Sequence, residues 1–238
     1  MELTNSVALV SGASRGLGLE IARAYARRGA ELVIAARNRD ALDAAASELA
    51  RSTNVVALAL DVSQDAERLV EAGLERFGRI DVLVNNASEL GPSPMPALEQ
   101  YRWQDLERVL RVNVLAPLHL AQLVLPGMRE RGEGVVINVS SDAGVEAYPG
   151  WGGYGASKAA LEHISRTLAA ELDGTGVRVY TVDPGDMNTG MHQLAEPGVD
   201  LSGLPGPEHS APAFVRLVEH ETAAFARVKA QEFAAVAG

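Results

Sequence analysis

One pattern constrains the fold above all others. Short apolar, β-branched runs alternate with longer amphipathic ones along the chain. "VALVS" (7–11), "ELVIAA" (31–36), "VVALAL" (55–60), "DVLVNN" (81–86), "GVVINVSS" (134–141) and "VRVYTVD" (177–183) read as strands. Their near-continuous hydrophobicity is what a parallel sheet covered on both faces requires. Residues 17–28, 39–51, 64–77, about 103–131 (with Pro117 inside) and 154–173 read as helices. In the first of these, Ile21, Ala22 and Tyr25 face inward, Arg23, Arg27 and Arg28 face outward, and Gly29 is a plausible stop. The stretch 185–207, rich in glycine and proline, reads as mainly loop. A short helix near 208–220 and a last strand near 225–230 follow. Strict alternation implies a doubly wound α/β fold, with a mainly parallel sheet of about seven strands and helices on both faces. With no repeat or linker to divide it, 1–238 is expected to be a single domain. Ligands in such sheets bind at the carboxyl ends of the strands, where strand order reverses.

Composition narrows the function classes. The chain is 47% hydrophobic and carries a net charge of -10, a field that repels nucleic acid. It has no cysteine, which excludes disulfides, thiolate metal sites and cysteine nucleophiles. The five histidines (119, 163, 192, 209, 220) lack ligand spacing, so no metal is expected. "MELTNSVALVSGAS" has no basic region followed by an apolar run. The apolar runs read as falling short of the ~20 residues that span a bilayer. The expectation is a soluble, cytoplasmic protein with neither nucleic-acid nor membrane partners.

"SGASRGLG" (11–18) joins the first strand to the first helix. Gly12 permits a tight turn, and Gly16 and Gly18 remove side chains where a ligand and then the sheet come close. The helix N-terminus beyond presents free amides to an anion, which suits a pyrophosphate. The spacing G-x-x-x-G-x-G differs from the commoner G-x-G-x-x-G, and glycines also serve plain turns.

"YGASK" (154–158) places Tyr154 and Lys158 four residues apart, on one helix face. A free phenol has a pKa of about 10, too high for a good base near neutrality. An adjacent ammonium favours the phenolate and makes the pair an acid–base catalyst. Ser141, at the end of the fifth strand, can polarise a substrate oxygen; Ser140 is its rival.

Taken in order, "SGASRGLG", "NNA" (85–87), a serine after the fifth strand and Y-x-x-x-K resemble the short-chain dehydrogenase/reductase family, in register from about residue 5 to residue 191. The resemblance implies a Rossmann-type fold, a nicotinamide cofactor and hydride transfer between that cofactor and a carbonyl or alcohol. Family spacing selects Ser141, with Tyr154 and Lys158, as catalytic. Asn113 in "VNVLAP" matches the asparagine that supports a water and proton relay to the lysine; otherwise it is a buried polar residue bonding backbone.

The resemblance also implies a cofactor-binding set: Gly12, Ser14, Arg15, Leu17, Gly18, Arg37, Asp61, Val62, Asn86, Ala87, Tyr154, Lys158, Pro184, Gly185 and Thr189. NAD-binding relatives carry an acid at the end of the second strand, where this chain has Ala36 and then Arg37. Arg37 and Arg15 can meet a 2′-phosphate, which favours NADP(H) over NAD(H) unless both are merely solvated. Asp61 would reach the adenine, or else cap a local turn. Asn86 and Ala87 would lie along the ribose, with Asn85 structural. Ser88 stands where the family's NNAG has glycine.

Loops at about 89–96, 142–151 and 186–206 would line the substrate pocket, the last as a lid. They offer Leu90, Met95, Val145, Tyr148, Trp151, Met187, Met191 and Leu194, suited to a mainly apolar carbonyl compound unless they pack on one another. Dimerisation is expected through the helices 103–131 and 154–173. The ending "FARVKAQEFAAVAG" departs from the family's "DGG"-like segment, so a tetramer is only an option. Two other readings fit the glycine turn: an NADP(H) sensor that has lost catalysis, and a methyltransferase.

Overall fold

The computed structural model describes residues 1–235; residues 236–238, the end of the C-terminal stretch and of the expected 1–238 unit, lie outside the described residues. Seven strands form one parallel sheet: β1 (Val7–Ser11), β2 (Glu31–Ala36), β3 (Val55–Ala59), β4 (Val82–Asn85), β5 (Gly134–Val139), β6 (Val177–Asp183) and β7 (Phe225–Lys229). Their order is β3-β2-β1-β4-β5-β6-β7. The helices are α1 (Gly16–Arg27), α2 (Arg39–Leu49), α3 (Ala66–Phe77), α4 (Trp103–Leu110), α5 (Ala116–Arg131), α6 (Gly152–Glu171), α7 (Gly190–Ala195), α8 (Ala211–Glu219) and α9 (Ala230–Ala235). This is the doubly wound Rossmann-type arrangement that the alternation implies. Strand order reverses between β1 and β4, so the crevice lies above their carboxyl ends.

Alternate residues of each strand feed two cores, because successive side chains point to opposite faces. Ala8, Val10, Leu32 and Ile34 pack with Ile21 and Tyr25 of α1, Leu42 of α2 and Phe214 and Leu217 of α8. Val7, Leu9 and Val33 pack on the other face with Leu69 of α3, Leu120 and Val124 of α5, and Ala169 of α6.

Three expectations need correction. Residues 103–131 do not form an unbroken α-helix: a π-turn, Arg111–Leu115, separates α4 from α5. Pro117 explains it, since it has no N–H to give the Asn113 carbonyl four residues back. This same continuous element, Trp103–Arg131, is long and apolar enough by length and composition to cross a membrane, contrary to the sequence reading of short apolar runs; 56% of its most apolar window is buried within the protein. Its stretch 112–128 carries no charged side chain, because it packs against α3, β4 and β5. Finally, the chain does not finish on its last strand, since α9 follows it; 185–207 is mainly loop as read, with the short α7 formed within it.

Candidate active site

The glycine turn is pinned from two sides. Gly12 has φ +70°, a left-handed conformation that suits glycine, and its N–H donates to the Ala35 carbonyl at 2.7 Å. A Cβ on Gly12 would meet the Asn86 amide nitrogen at 2.8 Å; one on Gly18 would collide with that nitrogen and with the Gly12 carbonyl. Gly18 therefore serves close packing of the helix on the turn. Gly16, at φ +56°, opens toward Thr189, whose Cγ2 lies 4.0 Å from the position of its missing Cβ. Helix α1 has no side-chain cap at Arg15 and no acid in its first turn. Its first amides, without acceptors in the helix, are thus left for an anion.

Asn86 also has a structural role. Its Nδ2 donates to the Ser11 and Gly12 carbonyls at 2.9 and 3.1 Å. The Ser11 hydroxyl accepts from the Asn86 and Ala87 amides, both at 3.0 Å. Asn86 thus fastens the end of β4 to the glycine turn. The Leu17 and Val62 side chains are likewise committed to the two cores, so only their backbones can reach a cofactor. Asn85 is structural, as expected, donating to Asn138 at 2.8 Å and to the Pro117 carbonyl.

At the nucleotide end, Ala36 closes β2 with no carboxylate, and Asn38 caps α2 by accepting from the Ala41 amide. Arg37 is 65% exposed and reaches Glu89 at 3.4 Å; Arg15 is exposed and Ser14 half-buried beside it. Asp61 accepts from the Ser63 amide and hydroxyl at 2.9 and 2.8 Å, so the local-turn role is real.

Tyr154, Lys158, Ser141 and Asn113 converge above the end of β5. Ser157, one position before the lysine, holds the group together: its hydroxyl donates to the Tyr154 carbonyl at 2.6 Å and accepts from Asn113 Nδ2 at 2.9 Å. Asn113 is 1% exposed and also brackets the Glu89 backbone, accepting its N–H at 2.7 Å and donating to its carbonyl at 2.8 Å. The Asn113 side chain is therefore fully occupied, so only its backbone carbonyl, which can take no bond from Pro117, could meet a water.

Lys158 is 2% exposed and donates to the Val139 carbonyl at 2.8 Å. An ammonium has three donors, so two remain for a ribose. Burial lowers its pKa from 10.5 to about 8. Its Nζ lies 5.3 Å from the centre of the Tyr154 ring. Burial pushes the Tyr154 phenol upward; the nearby Ser88 and Ser141 hydroxyls oppose this, while Asp142 and Asp183 add to it. Ser141 Oγ donates to Asp142 at 2.9 Å. Burial raises the Asp142 carboxyl, but hydrogen bonds from Tyr148, Ser141 and the Ala143 amide outweigh it and leave it below its ordinary value.

Pro184, Gly185 and Thr189 follow β6. The Pro184 carbonyl accepts from Ser210 at 2.8 Å, the Gly185 amide donates to Asp183 at 3.0 Å, and Thr189 caps α7 through His192. Beside them, Leu90, Ala143, Tyr154 and Ala195 form a small apolar cluster with Met95, Trp151 and Met191. The Trp151 and Tyr154 rings meet edge to face at 5.9 Å. Val145, Tyr148 and Leu194 are exposed around it. Met187 is the misplaced member of the expected lining: it joins the main core beside α1 and α8.

Sequence reasoning overlooked a second layer. Glu162, 2% exposed on α6, accepts from Ser140 at 2.6 Å and from Arg227 of β7 at 2.9 Å. The Arg227 guanidinium also reaches the Ser141 carbonyl at 3.4 Å. Arginine inside the apolar run "FARVK" was the available signal. Ser140, the rival of Ser141, is thereby occupied below the site.

Comparisons with known proteins agree with this geometry. A family model described as short chain dehydrogenase matches residues 6–199. An uncharacterised oxidoreductase of Staphylococcus epidermidis is 33% identical over 190 residues, 80% of this chain and 81% of the relative. A structure described as a short chain dehydrogenase from Pseudomonas syringae superposes with a TM-score of 0.89 at 34% identity, covering 96% of each chain. A metagenomic short-chain oxidoreductase in complex with NADP gives a TM-score of 0.80 at 29% identity, covering 95% of this chain and 97% of that one. The glycine turn, the Ser141–Tyr154–Lys158 group and these likenesses coincide on one conclusion: the chain belongs to the short-chain dehydrogenase family.

Proposed function

We propose that this oxidoreductase uses NADP(H) to interconvert a carbonyl and an alcohol on a mainly apolar small molecule, with Tyr154 as general acid and base. The observation that carries the reading is the convergence of a buried phenol, a buried ammonium and a serine hydroxyl at the mouth of an apolar cluster, beside an uncapped helix N-terminus. The residues fit the cofactor. The first amides of α1 take the pyrophosphate, Arg15 and Arg37 take a 2′-phosphate, and the two spare Lys158 donors take the ribose next to the nicotinamide. The bound reduced nicotinamide supplies the hydride.

The chain's own residues do the rest. Ser141 donates to the carbonyl oxygen and stabilises the charge that develops there. Tyr154 gives that oxygen its proton, and in the reverse direction removes it. Lys158 favours the phenolate, and the Asn113 carbonyl holds the water that refills the proton path. The cluster of Leu90, Met95, Trp151 and Met191 binds the apolar part of the substrate and excludes solvent. A homodimer through α4, α5 and α6 accompanies this reading. A groove of about 830 Å³, floored by Leu125, Pro126, Leu168 and Leu172, lies between α5 and α6 for that contact. The work is expected to be cytoplasmic.

NADPH consumption against aldehydes, ketones, quinones and keto-esters tests the proposal, with Tyr154→Phe as the blank. Turnover should fall by a factor of about 10²–10⁴ in the variant while NADPH still binds. Equal turnover in both would refute the role of Tyr154. Tight NADPH binding without any turnover would favour a sensor.

A further inference from the structure

In the sheet, β1 lies between β2 and β4, and the glycine turn at its end is flanked by matched positions of both neighbours. On one side the Gly12 N–H donates to the Ala35 carbonyl; on the other, the position of its missing Cβ lies 2.9 Å from the Ala87 Cα. Two residues beyond each of these flanks stand Arg37 and Glu89, and their side chains meet: Arg37 Nη1 donates to Glu89 Oε2 at 3.4 Å. Adjacent strands are about 4.8 Å apart, so β2 and β4 are separated by roughly 10 Å. The ion pair therefore reaches from one side of the glycine turn to the other, across the path of a dinucleotide. Its two members are held unequally. Asn113 fixes both backbone groups of Glu89, whose side chain is 17% exposed, whereas Arg37 extends into solvent. Ala36 leaves the end of β2 without a carboxylate, and Glu89 brings one to the same corner from β4.

We propose that Glu89 is a cofactor-specificity residue: its carboxylate holds Arg37 across the nucleotide path and competes with the 2′-phosphate of NADP(H) for that guanidinium. This deepens the reading of Arg37 as a 2′-phosphate ligand, and rests on it. The competition acts on one cofactor only. A 2′-phosphate takes the guanidinium through charge-assisted, bidentate bonds, so Arg37 must first leave Glu89. The 2′-hydroxyl of NAD(H) carries no charge and makes no such demand, so the pair stays closed beside it. A single contact at 3.4 Å with one exposed partner is weak, and a phosphate can displace it. The Glu89 backbone stays on Asn113 throughout, so opening the pair requires only the Arg37 side chain to turn. Glu89 thereby narrows the preference for NADP(H) that Arg15 and Arg37 create, without reversing it.

The test is binding to the full-length protein: 2′,5′-ADP and 5′-AMP by calorimetry, NADPH and NADH by fluorescence titration. It compares the parent with Glu89→Gln, Glu89→Ala, Arg37→Ala and the double variant Glu89→Gln/Arg37→Ala. Glu89→Gln keeps the shape of the side chain and removes its charge; Glu89→Ala removes the acceptor altogether. Both should tighten 2′,5′-ADP and NADPH about three- to tenfold, and change 5′-AMP and NADH by less than about twofold. With Arg37 replaced, the gain from Glu89→Gln should fall below about twofold, because the two residues act as one pair. No gain, an equal gain for all four ligands, or a gain that survives Arg37→Ala in full would overturn the role of Glu89. If Arg37→Ala alone weakens 5′-AMP as much as 2′,5′-ADP, the reading of Arg37 as the 2′-phosphate ligand fails first, and the two failures are distinguishable.

Discussion

The glycine turn at 11–18 and the substrate loops at about 89–96, 142–151 and 186–206 flank one crevice and are built by different means. The turn is fixed by short, local bonds: Ser11, Asn86 and the Ala35 carbonyl hold it, and Gly12 and Gly18 leave no room for a side chain. The loops meet through methionine, leucine and a tryptophan, with Val145, Tyr148 and Leu194 left exposed. A pyrophosphate is the same in every dinucleotide, so one backbone geometry serves. A substrate pocket needs only apolar bulk of roughly the right shape, which flexible side chains supply and many sequences satisfy.

Placing a side chain in the turn gives the sharpest contrast. Gly18→Ala drives a Cβ into the Gly12 carbonyl and the Asn86 amide. Backbone must move, so we expect a loss of roughly 2–4 kcal/mol in denaturant unfolding and loss of NADPH binding. Leu194→Ala, on the exposed side of α7, should change stability by less than about 0.5 kcal/mol. Similar losses in both would erase the distinction.

Lys158 joins the two halves, and its pH dependence has a definite sign. Its folded value of about 8 lies below the ordinary 10.5, so the unfolded chain binds more protons between those values. The cofactor-free protein should therefore gain stability as pH rises through that window, and carry the full cost of the buried charge below it. Relative to Lys158→Met, the gain from pH 8 to pH 10.5 should be of the order of 3 kcal/mol by urea unfolding. A constant difference would mean that the ammonium is solvated.

Smaller effects separate the halves by ligand. Arg37→Ala should weaken NADPH by roughly ten- to a hundredfold and leave NADH almost unchanged, as measured by fluorescence titration. Equal loss for both cofactors would remove the 2′-phosphate argument. Met191→Ala should raise KM for an apolar carbonyl several-fold without moving the NADPH Kd.

The sheet was legible because strands buried on both faces spell themselves out, and "VALVS" and "VRVYTVD" lie where they read. The π-turn was less so: Pro117 was visible, but a proline in the first turn of a helix is ordinary and does not by itself mark a π-turn before it. The pairing of Tyr154 with Lys158 was legible through their fixed spacing on one helix. The fastening role of Asn86 was not legible, because its partners, the Ser11 and Gly12 carbonyls, lie more than 70 residues earlier. Met187 was misjudged because a loop methionine carries no mark of which core it joins. The pair Glu162 and Arg227 is 65 residues apart, so only the β6–β7 pairing brings its members together.

The most direct measurement follows the hydride itself. NADPH carrying deuterium on its transferable nicotinamide position would be supplied with the carbonyl panel, and the products weighed by mass spectrometry. Hydride transfer at this site requires one deuterium on the carbinol carbon, delivered by the parent protein and lost with Tyr154→Phe. An alcohol formed without deuterium, or formed equally by the variant, would contradict the assignment of this crevice as the site of reduction.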